Sequence, residues 1–147
     1  MHGRAESVIV WRITERMDDE TPHRSAEVRA LAVSRDGTRL AAGFMDGSVA
    51  LIDLDTSRVR YHVRPHGQFI KQLHFAPDGS RLISVAWNEL PRLIDVETGR
   101  VILTLFAGDL ARDPVALSHD WSRLATAGTE RSVEVFALPR FLRTGLK

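Results

Sequence analysis

A chain of 147 residues is long enough for one domain with its own core, and 44% hydrophobic with 27% charged residues is ordinary for a globular protein. A net charge of +1 excludes strong steering toward nucleic acid or an anionic membrane. With no cysteine there is no disulfide, no thiolate nucleophile and no cysteine-ligated zinc; the composition suits a reducing compartment, so the cytoplasm is the expected location.

Taken in order, the chain starts with a polar stretch and a short apolar one, residues 8–11. The latter is too short for a signal-peptide core or a membrane span. Residues 7–13 (SVIVWRI) read as a strand, patterned like 48–54 (SVALIDL). Residues 14–24 are polar and acidic, compatible with an irregular outer strand or a loop. From Val28 onward, short apolar runs alternate with turn residues. Strands are expected over 28–33, 39–43, 48–54 and 58–63. A second set covers 72–75, 81–85, 92–95 and 101–106, and a third begins with an inner strand at 113–117. The arginine-rich run 58–63 reads as an edge strand, where charge discourages stray pairing. No stretch of useful length has helical periodicity, and 138–147 reads as a short basic tail.

These runs repeat. LAVSRDGTRLAAG, HFAPDGSRLISVA and VALSHDWSRLATA place Asp36, Asp78 and Asp120 at intervals of 42 residues. The downstream cores VALID, PRLID and VEVFA keep the same phase. A period of about 40–45 residues with four short strands is the signature of a propeller blade. The expected fold is therefore all-β, one repeat domain divided into a partial blade (7–24), three repeats (25–64, 65–106 and 107–138) and a tail (139–147). Since 147 residues hold about three and a half repeats, fewer than the usual four to eight blades, the chain is expected to be part of a propeller completed by self-association or by a complementary segment.

The repeats resemble those of the WD40 family, on LAAGFMDGSVALID (40–53), LISVAWNELPRLID (82–95) and IKQLHFAPDGSRL (70–82). The resemblance spans nearly the whole chain. It implies four-stranded antiparallel blades around a central channel, and a non-catalytic scaffold that displays loops to a protein or peptide. The family's Trp-Asp pair is Ile52-Asp53, Ile94-Asp95 and Phe136-Ala137 here. Its Gly-His pair is Pro65-His66 in the second repeat and Ala107-Gly108 in the third. The resemblance also implies a buried polar network per blade. Asp46, Asn88 and Glu130 hold its acidic position, and Ala42, Ser84 and Thr126 its hydroxyl position. His66, Ser84 and Asn88 form the most complete set. Twenty basic residues include only two lysines, Lys71 and Lys147, a bias common in GC-rich bacterial genomes, which makes the repeats bacterial-looking without naming an organism.

The polar and titratable residues point to structure rather than catalysis. His62 and His66 are four apart, but a strand and a loop need not share a face as a helix would, so no metal is assigned. Asp36, Asp78 and Asp120 sit where an aspartate bonds its own turn and are read as structural. No serine has a Gly-x-Ser-x-Gly elbow, and no glycine cluster forms a phosphate loop. No cofactor is implied, catalysis is not expected, and a membrane or nucleic-acid partner is disfavoured. The partner-binding candidates are Phe44, Met45, Phe69, Trp87, Leu110 and Arg112, which the propeller arrangement puts on one face. They are residue types enriched in binding cores. Packing of Phe44 and Trp87 between blades is the competing reading. A regulatory part of a bacterial signalling or defence protein with its effector elsewhere, or a propeller enzyme, are the alternative functions.

Overall fold

A computed structural model describes residues 27–105, 112–128 and 130–145, with the side chains of 112–114 outside that description. The expected strand at 7–13, the partial blade at 7–24 and the candidate Leu110 lie outside the described residues.

The strands are short because a turn residue interrupts each apolar run. The first sheet holds β1 (Val28–Val33), β2 (Arg39–Phe44), β3 (Val49–Asp53) and β4 (Arg58–Val63). The second holds β5 (Ile70–Phe75), β6 (Arg81–Ala86), β7 (Arg92–Asp95) and β8 (Val101–Thr104). The third holds β9 (Arg112–Leu117), β10 (Arg123–Ala127) and β11 (Val133–Ala137). Every pairing is antiparallel and runs between chain neighbours, so each sheet is a meander. The first strands converge, β1 lying against β5 and β5 against β9. In the tail, Pro139 is followed by one helical turn, α1 (Arg140–Arg143).

The core lies between sheets rather than within one. Leu51 and Val49 of the first sheet meet Ile70, Leu73, Leu82 and Ile94 of the second, all buried. Ile83, Val85 and Leu93 of the second meet Val115, Leu124 and Trp121 of the third, with Leu142 of α1 added beneath. The close approach explains Gly43: a Cβ there would stand 2.7 Å from Cβ of Ile70.

At one end of the sheets, which we call the lower face, the aspartate turns repeat. Asp36 accepts hydrogen bonds from Ser34 Oγ (2.7 Å) and the Thr38 amide (3.0 Å). Asp78 accepts from the Ser80 amide and hydroxyl, and Asp120 from the Ser122 amide and Ser118 Oγ. These donors favour the charged form and hold Asp36 and Asp120 down to about 2. At Asp78 burial pulls upward, yet the bonds from Ser80 and the Gly145 amide leave it below the usual value. The next residue of each turn is left-handed: Gly37 at φ 75°, Gly79 at φ 74° and, where the other two repeats have glycine, Trp121 at φ 61°. Trp121 keeps that conformation while 3% exposed in the second core.

Candidate functional site

The upper face is formed by the β2–β3 turn, the β4–β5 loop and the segment after β6. Backbone bonds join them: the His66 amide donates to Gly47 O (3.3 Å) and the Trp87 amide to Phe69 O (3.0 Å). Gly47 has φ 87°, and a Cβ there would run into the carbonyl of His66, so only glycine lets the turn and the loop meet.

Beneath this face lie two buried polar networks. In the second sheet, His66 is 2% exposed and Ser84 0%. His66 Nδ1 is 2.6 Å from Glu89 Oε2 and Nε2 is 2.8 Å from Ser84 Oγ. A carboxylate can only accept, so Nδ1–H donates to Glu89, and Nε2 accepts from the Ser84 hydroxyl. Glu89 Oε1 also takes the Gly67 amide at 3.0 Å. Burial pushes the His66 pKa below its ordinary value, against the pull of Glu89, so the imidazole is neutral near pH 7. Glu89, not Asn88, therefore completes the network. Asn88 is exposed in the turn with φ 55°, and the longer glutamate reaches back from the following position.

The first sheet uses other positions. Ser48 donates its hydroxyl to Asp46 and accepts from His62 Nε2 at 2.7 Å. Sequence reading put Ala42 in the hydroxyl position and left His62 as a strand residue. The signal that could have found the network is the Asp-x-Ser at 46–48 together with a histidine one strand away. His62 and His66 thus belong to separate networks.

Ser84, His66 and Glu89 have the spacing of a hydroxyl nucleophile, base and orienting acid. With Ser84 fully buried, a substrate has no path to the oxygen. The arrangement suits holding the loop to the sheet, since a fully satisfied buried network rigidifies what it joins.

Above the networks lie the aromatics. Phe69 and Trp87 stack with centroids 6.2 Å apart and 13° between planes. The Arg29 guanidinium carbon is 5.4 Å from the Phe69 centroid, within cation–π range. Trp87 is 47% exposed and Met45 48%. Phe44 is instead half-buried, tilted against His62 with centroids 5.3 Å apart. Arg112 lies in β9 with its side chain outside the described residues. Of the six candidates, then, the structure brings Phe69 and Trp87 together, leaves Met45 open on the same face and turns Phe44 to His62. Arg29 was not anticipated.

The WD40 domain of anaphase-promoting complex subunit 4 is the family description that matches, over residues 2–70. WD repeat-containing protein SL1-17 of Schistosoma mansoni is 34% identical over 52% of this chain and 25% of its own length. The human angio-associated migratory cell protein is 32% identical over 68% of this chain and 23% of its own length. The chain belongs to the WD40-repeat family. Two solved structures share the fold: the β-propeller domain of Myceliophteria thermophila Cps50 (Swd1), with TM-score 0.64, 17% identity and coverage of 78% of this chain and 40% of that one, and a chain of the mitotic checkpoint complex, with TM-score 0.67, 21% identity and coverage of 88% and 39%. The three sheets are therefore WD40 propeller blades, and β1, β5 and β9 are their inner strands. The chain spans about a quarter of the length of these two sequence relatives. These relatives are animal proteins and give no support to a bacterial source or a bacterial signalling role; arginine preference follows base composition and does not define lineage.

Proposed function

We propose that these WD40 blades form a non-catalytic platform whose upper face binds a protein or peptide partner through Trp87, Phe69 and Met45. The observation that carries this reading is Trp87. Its indole is 47% exposed, held in place by Phe69 and by its own backbone bond. A rigid aromatic loses little conformational freedom on binding, which is why tryptophan anchors interfaces. The absence of cysteine fits work in the cytoplasm. A photoreactive amino acid at Met45 tests the reading, with the exposed Thr56 on the lower face as control. The expected result is a defined adduct from position 45 and none from 56. Equal labelling from both positions would count against it.

A further inference from the structure

Arg29 and Lys71 occupy the same place in consecutive repeats, 42 residues apart. Each is also the extra residue of a β-bulge. In β1, Val28 pairs with Phe44 and Ala30 with Gly43, which leaves Arg29 without an opposite residue. In β5, Ile70 pairs with Ala86 and Gln72 with Val85, which leaves Lys71. A bulge breaks the alternation of faces and re-aims the side chain it carries, and bulges gather beside functional sites for that reason. Here the two bulges lie at the upper ends of adjacent inner strands and present exposed cations. In the third sheet Thr126 of β10 pairs with Val115 and Ala127 with Arg112, so β9 skips two positions, Asp113 and Pro114, and the equivalent of Arg29 and Lys71 is Asp113. The cationic pair is therefore confined to the first two blades, the second of which carries Phe69 and Trp87.

Arg29, Phe69 and Trp87 make a row of cation, ring and ring. The ion pair of Arg29 with Glu27 is 3.6 Å long between side chains 41% and 71% exposed. Such exposed pairs are weak, so another carboxylate can replace or share Glu27. Glu89, in the same loop as Trp87, is already bound by His66 and Gly67.

We infer that the partner segment recognised here is acidic, with an aromatic or large apolar side chain lying on Trp87 and neighbouring carboxylates meeting Arg29 and Lys71. This rests on the reading of the upper face as a protein-binding surface. Phosphates could also meet the two cations, but a nucleic-acid surface gathers a longer basic stripe on a more basic domain. The net charge is only +1.

The test is selection of random dodecapeptides on the full chain, followed by affinities at low and high salt. The expected peptides are enriched in aspartate and glutamate around an aromatic residue, and bind more weakly as salt rises. The double variant Arg29→Gln/Lys71→Gln should weaken them about tenfold and flatten the salt dependence, the behaviour of lost rim charges. Arg29→Lys/Lys71→Arg should retain the salt dependence. Peptides without acidic excess, or acidic peptides indifferent to the double variant, overturn the inference. So does displacement of the peptides by oligothymidylate at lower concentration than by free acidic peptide. If Trp87→Ala abolishes binding while the double variant does not, the aromatic reading stands and the acidic one fails. If neither substitution matters, both fail.

Discussion

His66 is held by two side chains at once, and the consequences can be measured. Truncation leaves Ser84 and Glu89 without their common partner, and a buried unsatisfied group costs about 1–3 kcal/mol. His66→Ala should therefore lower the unfolding free energy by that amount, read as a lower denaturant midpoint at unchanged slope. Asn88→Gly should be neutral or slightly stabilising, because φ 55° suits glycine and no bond of Asn88 supports the network. The sign of the pH dependence also follows from burial. His66 and His74 have pKa values pushed below the usual 6.5, so both fold as neutral rings while the unfolded chain protonates more readily. Their contribution is complete above 6.5 and is lost as pH falls from there through the folded-state values. Urea midpoints at pH 7.5 and at 5.5 check this, the lower pH being less stable; equal midpoints would contradict it. Glu89 was not legible in the sequence because the repeat phase points to Asn88, and only the left-handed turn moves the carboxylate one residue onward. Arg29 was hidden for a related reason: a bulge shows in the pairing of two strands and in no single run of residues.

At the scale of elements, the strand-and-turn alternation was legible because its chemistry is local. Asp36, Asp78 and Asp120 each close their own turn, and the observed strands differ from the expected ones by a residue or two at their ends. The third blade departs from the pattern at two places. Trp121 takes a left-handed position that the other blades give to glycine, trading backbone strain for an indole packed between blades. Trp121→Ala should cost about 3–5 kcal/mol, the usual range for removing a large buried ring. A loss below 1 kcal/mol by chemical unfolding would show that the indole is not packed as described. The second place is the turn after β11. Blade one has LDTS and blade two VETG, whereas blade three has LPRF, in which Pro139 leads into α1. Tyr61 fills the gap between blades one and two and donates to Val96 O at 2.8 Å. At the equivalent place, Leu103 leaves an apolar cleft of about 350 Å³ between blades two and three, bordered by Phe136, Phe141 and Leu142. Leu142 is 7% exposed, so Leu142→Ala should destabilise by about 2–5 kcal/mol, and protease nicking of the tail checks it.

For the molecule as a whole, blades that pack their cores between sheets make a stiff support, and loops carried on a stiff support can be specific. The lower face carries the aspartate turns, that of Asp78 also holding the Gly145 amide of the tail. The upper face carries the exposed aromatics above satisfied polar networks. That division separates stability from recognition. It is tested most directly by the affinity of the crosslinked partner for Trp87→Ala, measured beside the melting temperature of the variant. An anchoring residue should cost about 2 kcal/mol or more of binding, roughly a thirtyfold loss, while melting stays where it was. A fall of several degrees in melting temperature with full affinity retained would place Trp87 in the fold rather than at the interface.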